Sequence, residues 1–388
     1  MSTPIDVVTI GALALTAYHH VGYPLLMRFA AKRTTSIEVT APAELPEITL
    51  VMPAYNEATY IADKIRNIAA LDYPAGLLRV VIACDGCSDR TAEIARVTLR
   101  EPGAAHLNAD VIEHTRNRGK VTVLNETIRL AQTEIIALSD VSAMLPVYAL
   151  TRTAAHFADP KLGAVGGTYR LARPGSKGEQ KYWEQQVAVK RGEARLGAPL
   201  GLHGAFYALR REAWKALPAN TVNDDFIVPM MIYGNGWRVA YDETIVALEM
   251  EQTRPEQEKS RRKRIGAGNV QQLLWLSWLL HPRNRGVALA FGSGKALRVL
   301  MPLLMAVGLL GSLLEARSSV LFALLAALQL TGLAAAALGR AYGAASPRLF
   351  TIGLYVVEGH FANLMGLLHY ASGATRRTAW RNGQAISR

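Results

Sequence analysis

The chain has 388 residues, half of them hydrophobic, and carries a formal net charge of +12. That length allows one large domain with extra elements, and a mean hydropathy of +0.12 is high for a soluble enzyme. The basic balance suits anionic lipid or a phosphorylated substrate; with no zinc-finger or helix-turn-helix pattern, nucleic acid is not an expected partner.

The apolar residues concentrate at the two ends. Val7–Met27 is nearly all apolar and as long as the roughly 20 residues a membrane-spanning helix needs. The residues before it are acidic rather than basic, which reads against a cleaved signal peptide. Arg28, Lys32 and Arg33 follow, predicting that the next part of the chain lies on the cytoplasmic side of an inner membrane. His19 and His20 fall inside the span; they either face other helices or line a lipid or polymer path. Thr34–Pro46 is polar, contains Pro42 and Pro46, and reads as a linker.

The apolar run Ile48–Met52 breaks at Pro53 into a polar turn, Ala54-Tyr55-Asn56-Glu57. Ile61, Ile65 and Ile68 then recur at helical spacing. A second run, Arg79–Ala83, leads into Asp85-Gly86. Strand, loop and helix, twice over, predict a parallel sheet with helices on its faces. Ligands of such sheets sit at the carboxyl ends of the strands, where Glu57, Asp85 and Asp89 fall. The chain's two cysteines, Cys84 and Cys87, form a C-x-x-C. That spacing fits a redox pair, but the turn also accounts for it, with Cys84 ending the strand and Cys87 in the loop.

These two loops resemble the nucleotide-sugar site of family 2 glycosyltransferases. In that family the first strand ends in P-x-Y/F-N-E and the second in D-G-S-x-D. Here they read Pro53-Ala54-Tyr55-Asn56-Glu57 and Asp85-Gly86-Cys87-Ser88-Asp89. The resemblance implies an α/β GT-A domain, Rossmann-like with a mostly parallel sheet. It places Pro53, Tyr55, Asn56, Glu57 and Asp85 around the donor.

Asn117-Arg118-Gly119-Lys120 precedes a helical stretch, Val121–Ala131. A lysine after a glycine at a helix start suits a pyrophosphate, and the family's G-K and L-N match Gly119-Lys120 and Leu124-Asn125. Without the family, Lys120 is an ordinary surface lysine. Glu134–Asp140 reads as a buried strand ending in a carboxylate. The family's metal motif, D-x-D, stands here as Asp140-Val141-Ser142. The resemblance implies Mg2+ or Mn2+ at Asp140, with Ser142 as a second and poorer ligand for a hard cation. His203-Gly204-Ala205-Phe206-Tyr207 matches the loop that meets the donor sugar and acceptor, through His203 and Gly204. Trp183 either stacks on a sugar or belongs to the core. In Asn223-Asp224-Asp225-Phe226, adjacent acids suit a helix N-terminus. The family's E-D motif makes Asp225 the general base and Asp224 its support.

Lys259, Arg261, Arg262, Lys263 and Arg264 cluster before an apolar stretch, Val270–Leu280. Arg264, Gly268, Gln271 and Trp275 share one helix face, as in an interfacial helix seated on anionic headgroups. The family's polysaccharide synthases carry Q-x-x-R-W here. This chain has Gln271-Gln272-Leu273-Leu274-Trp275, which keeps Gln271 and Trp275 on the acceptor side. Leu274 replaces the arginine, leaving Arg261, Arg262 or Arg264 to meet the pyrophosphate and weakening assignment to the processive cellulose, chitin or hyaluronan type. Arg298–Leu314, Val320–Leu338 and Leu349–Tyr370 are three further apolar stretches. Glu358 and His360 lie mid-span, where charge points to function. Four full spans would place the tail opposite the catalytic domain, yet the tail's arginines favour the cytoplasm, so one stretch is expected to be re-entrant or interfacial.

The resulting plan is a transmembrane helix (1–33), linker (34–46), GT-A domain (47–253), basic interfacial helices (254–296), transmembrane helices (297–372) and basic tail (373–388). The resemblance implies inverting transfer from a nucleoside diphosphate sugar, UDP-linked, to a growing surface polysaccharide at the cytoplasmic membrane face. Two alternatives stand. One is single-sugar transfer to a polyprenyl phosphate or glycolipid. The other is a non-catalytic glycan- or nucleotide-binding subunit of an export complex. Expected partners are the nucleotide sugar, a glycan or lipid-linked acceptor, the bilayer, and export or oligomeric partners.

Overall fold

The computed structural model describes residues 3–32, 44–173, 177–251, 255–343 and 347–372. Most of the expected linker and the whole basic tail therefore lie outside the described residues. The chain divides into a sheet unit within Met27–Arg254 and a helical unit formed by Met1–Leu26 with Pro255–Thr375.

The first apolar stretch forms α1 (Pro4–Ala17), a π-helical turn at Tyr18–Gly22, and α2 (Tyr23–Lys32). Asp6, acidic where a signal peptide would be basic, starts α1. Its N–H donates to Thr3 Oγ1 at 3.2 Å and its carboxylate accepts from the Thr3 N–H at 2.6 Å, a reciprocal capping box.

The sheet unit follows in the order β1 (Ile48–Ala54), α3 (Ile61–Ala69), β2 (Leu78–Asp85), α4 (Thr91–Thr98), β3 (Asn108–His114), α5 (Lys120–Leu130) and β4 (Ile135–Ser139). It continues with β5 (Ala143–Met144), α6 (Ala149–His156), β6 (Leu162–Leu171), α7 (Lys177–Arg195), β7 (Phe206–Arg210), α8 (Asp224–Gly234) and β8 (Arg238–Glu249). The eight strands form one sheet in the order β3-β2-β1-β4-β7-β6-β8-β5. Every residue of β1 and β4 is buried, as expected of strands covered on both faces. The sheet is parallel from β3 to β4 and between β6 and β8, but β7 runs antiparallel to both β4 and β6. It is thus more mixed than the two βα repeats implied.

β1 also runs on through Pro53, where the sequence predicted a break. It pairs with β2 over its whole length but with β4 only to Val51. The proline stands where one side of the strand has no ladder left to lose. Beneath the sheet, the Asp242 carboxylate of β8 accepts from Arg152 Nε at 2.6 Å, His156 Nε2 at 2.7 Å and the Thr244 N–H at 2.9 Å. Burial opposes its charge, yet the bonds from His156, Thr244 and Arg152 outweigh burial and hold the carboxyl well below the usual range.

The helical unit adds α9 (Pro255–Trp275), α10 (Arg285–Phe291), α11 (Leu297–Glu315), α12 (Val320–Tyr342) and α13 (Arg348–Ala371). Pro282–Glu315 and Val320–Tyr342 are long and apolar enough to cross a membrane by length and composition. Helix α13 packs against α9 and α12, and α1 against α11. Small residues let the backbones approach: a Cβ on Gly311 would stand 1.9 Å from Thr9 Oγ1, and one on Gly366 2.4 Å from the Ala267 nitrogen. Ala267, Asn269, Val270, Gln271 and Gln272 of α9 are buried, and Asn269 Nδ2 donates to Asn363 Oδ1 at 3.1 Å. The middle of this basic helix is therefore held by a neighbouring helix. The histidines of the first stretch also face other helices: His19 Nδ1 lies 2.8 Å from the Ser293 carbonyl, and His20 Nε2 2.8 Å from His360 Nε2. Glu358 lies 3.9 Å from Arg340.

The sheet unit's most constrained loop contact is at Gly86, which has φ +66° and leaves an ideal Cβ only 2.1 Å from the Asn117 nitrogen. Gly86→Ala should cost roughly 2 kcal/mol or more, read as a lower melting temperature. An unchanged melting temperature would mean that the two loops separate freely.

Candidate active site

The turns after β1 and β2 are tied to each other. Asn56 adopts φ 57°, in the left-handed region that asparagine tolerates better than most residues. From there its side chain donates to Ser88 Oγ at 3.0 Å and accepts from the Ser88 N–H at 2.8 Å. Asp89 accepts from the N–H groups of Ala58 at 3.1 Å and Thr91 at 3.0 Å. Pro53 is buried and Tyr55 half-buried at the strand end. Cys84 and Cys87 are free thiols, and Cys87 Sγ lies 3.6 Å from the Ala54 carbonyl.

Asp85, expected beside the donor, is instead fully buried. Its carboxylate accepts from the Arg118 N–H at 3.0 Å and the Gly119 N–H at 2.7 Å, fixing the loop that opens α5. The next residue in that helix is Lys120. Its Nζ reaches Asp140 Oδ1 at 3.0 Å and Asp224 Oδ2 at 3.7 Å, bridging the end of β4 to the start of α8. Burial works against the Lys120 charge, but Asp140, Asp224 and Asp225 outweigh it and hold the ammonium above the usual lysine range.

Asp140 and Asp225 meet at Gly204. A Cβ there would lie 3.5 Å from Asp140 Oδ2 and 3.8 Å from Asp225 Oδ2, so the missing side chain leaves a recess between the two carboxylates. The Leu202 N–H donates to the Asp225 carbonyl at 2.8 Å, tying this loop to α8. Asp224 is buried, and its Oδ2 has no hydrogen bond. Below lies Tyr207 of β7, fully buried with an unpartnered hydroxyl. Beside Gly204, His203 packs within 5.9 Å, ring to ring, of both Tyr169 and Trp183, which lie 4.5 Å from each other. Trp183 therefore stands in an aromatic cluster next to the recess.

Further carboxylates crowd the same loops. Glu57 is pushed up to about 8 by burial first, then by Glu251, Asp140, Glu249 and Asp89. Glu249 lies across from Ala143 in the β5–β8 pair. Burial raises its pKa against the hydrogen bonds it accepts from the Glu251 N–H and the Ser142 hydroxyl. Ser142, expected as a metal ligand, is thus buried and engaged with Glu249. Among the described residues, no three His, Cys, Asp or Glu side chains form a metal-ligating group by themselves.

Glu57, Lys120, Asp140, His203, Gly204, Asp224 and Asp225 are thus placed around linked loops of one unit. Arg261, Arg264, Gln271 and Trp275 belong to α9 of the helical unit. Sequence reasoning missed Tyr169, Glu249 and Lys64. No local pattern marks the first two, whereas Lys64 carried a signal: it fills the i+3 place in the buried stripe Ile61, Ile65, Ile68.

A carboxyl whose folded pKa lies above its unfolded value adds stability below the unfolded value and loses that stability as pH rises through the folded value. For Glu57 the window runs from 4.5 to about 8. In chelator, the melting temperature should fall across that window, and Glu57→Gln should flatten the fall. An equal pH dependence in the variant would remove Glu57 as its source.

A profile of the family described as glycosyltransferase like family 2 matches residues 46–268. Poly-beta-1,6-N-acetyl-D-glucosamine synthase of Staphylococcus aureus (strain COL) is 28% identical over 231 residues, covering 56% of this chain and 52% of that protein. The synthase of the same description from Staphylococcus epidermidis is 26% identical over 206 residues, covering 50% and 48%. The chain spans about half the length of the curated relatives it matches. A solved structure described as mannosyltransferase PcManGT from Pyrobaculum calidifontis, in complex with GDP-Man and Mn2+, shares the fold. It has a TM-score of 0.74 at 23% identity, covering 94% of this chain and 99% of that one.

Proposed function

Because the chain belongs to glycosyltransferase-like family 2, we propose that it is an inverting transferase. It moves a sugar from a nucleoside diphosphate donor, UDP-linked, to a growing polysaccharide at the cytoplasmic face of a membrane. The observation that carries this reading is the recess at Gly204, where Asp140 and Asp225 face each other beside the Lys120 ammonium. Asp225 takes the proton of an acceptor hydroxyl. That oxygen attacks the anomeric carbon from the side opposite the diphosphate, which leaves with the bonding electron pair. Lys120 offers its charge to the leaving phosphates, and the Tyr169–Trp183–His203 cluster offers aromatic faces to a sugar.

The residues present fit a divalent cation: Asp224 keeps a buried carboxylate oxygen without a hydrogen bond, Gly204 leaves room between Asp140 and Asp225, and the crowded acids call for positive charge. Mg2+ or Mn2+ would be held through Asp140. When bound, such an ion neutralises charge on the donor's diphosphate. The structural neighbour's description names Mn2+.

A second reading, transfer of a single sugar to a polyprenyl phosphate or glycolipid, is favoured by Leu274. This exposed leucine occupies the place where the processive pattern has arginine. Product length separates the two, a polymer ladder against one added residue. A non-catalytic nucleotide- or glycan-binding subunit is the reading of another class.

The test is nucleoside diphosphate release from a panel including UDP-N-acetylglucosamine and GDP-mannose, with Mg2+ or Mn2+ and candidate acceptors. Asp225→Asn should lower transfer by about 100-fold or more while leaving donor binding within a few-fold. Equal turnover in that variant would remove Asp225 as base. A protein that binds donors from the panel but transfers none would favour the non-catalytic reading.

A further inference from the structure

Lys64 is fully buried in α3, the helix that begins at the Glu57 turn. Its Nζ donates to Ser139 Oγ at 2.7 Å and to the Ala143 carbonyl, the residues on either side of Asp140-Val141-Ser142. Among the described residues, no carboxylate lies within ion-pair distance of it. Ser139 Oγ in turn donates to the Ala205 carbonyl at 3.0 Å, which also receives the Asp140 N–H at 3.3 Å. One turn along α3, Asn67 grips the same segment from both sides, donating to the Leu145 carbonyl and accepting from the Leu145 N–H, each at 2.8 Å. The α3 face therefore staples residues 139–145 at two points, and the first point also reaches the loop at Gly204.

Packing alone does not require a charge there. Methionine is also unbranched and adaptable and would fill much of the same space, whereas burial opposes the Lys64 charge and pushes its pKa down to about 7 against the attraction of Asp140 and Glu249. Local rules broken in this way occur where a site needs them.

We propose that Lys64 is a positioning residue, whose buried amine fixes the Asp140–Ser142 turn through Ser139 and Ala143 and so sets how tightly that turn takes a divalent cation. The inference rests on the transferase reading, because it gives the turn a cation to hold. It names a residue behind the turn that touches neither donor nor acceptor.

The sign of the effect separates position from charge. Removing a positive charge from behind a cluster of carboxylates would, by charge alone, draw a cation in more tightly. Loss of the staple lets Asp140 drift and weakens binding, by about tenfold or more, as residues supporting metal ligands typically do. The experiment is calorimetric titration of Mn2+ into the full chain in detergent, with the metal-free melting temperature measured alongside. Lys64→Met should raise the Mn2+ concentration at half-saturation about tenfold while keeping or raising the metal-free melting temperature. Ser139→Ala, which keeps the lysine but cuts its link to Ala205, should shift Mn2+ binding the same way and carries the test should Lys64→Met fail to fold.

Unchanged or tighter Mn2+ binding in a folded Lys64→Met protein overturns the proposal. Should only Ser139→Ala fold, its unchanged Mn2+ binding does the same. A lower melting temperature with Mn2+ binding intact also overturns it, by reducing Lys64 to a structural residue. A parent chain that binds neither Mn2+ nor a nucleotide sugar overturns the transferase reading and this inference together.

Discussion

The Lys120 ammonium lies 3.0 Å from Asp140 and 3.7 Å from Asp224, and the candidate site is assembled around it. The three residues open or close three different elements: Lys120 the start of α5, Asp140 the end of β4, Asp224 the start of α8. A cation among carboxylates from separate chain segments holds them close without requiring that they be neighbours in sequence. The same charge offsets the repulsion that Asp140, Asp224 and Asp225 would otherwise impose on one another. The recess at Gly204 opens between acids drawn together in this way.

Around that centre, polar side chains are spent on holding loops, Asp85 and Asp242 from buried positions and Asn56 and Asp89 nearer the surface. Asp85 spends its carboxylate on the backbone of Arg118 and Gly119, placing the residue before Lys120. Asp89 and Asn56 lock the first two turns together. Asp242 ties β8 to α6, and β8 carries Glu249 toward Ser142. A buried carboxylate with several donors is a stiff support, because losing any one donor leaves charge unpaired in a poor solvent for it. The helical unit uses a different device. Its crossings are made close by glycines at Gly311 and Gly366, and its polar side chains find partners on neighbouring helices.

The two βα repeats, the loop carboxylates at Glu57 and Asp89, the helix beginning at Lys120 and the acids opening α8 were all legible from local pattern. Strand and helix periods, glycine turns and the preference of acids for helix starts are written into a few consecutive residues. Pro53 misled because proline usually ends a strand. Whether it does depends on which neighbours are still paired, and β4 stops at Val51. Lys64 went unmarked because lysine is usually exposed, although its place in the isoleucine stripe marked it as facing inward.

By itself, the sequence determined the kind of chemistry available at each strand tip, because turn residues and their acids are local choices. Only the tertiary structure decided which of these groups meet. The antiparallel entry of β7 beside β4 brings Gly204 to Asp140, and the pairing of β5 with β8 brings Glu249 to Ser142. Burial then turned Asp85 into a loop anchor and Lys64 into a support behind the turn. Such pairings join residues tens of positions apart, and their free energy lies in packing and desolvation that no short stretch of chain contains.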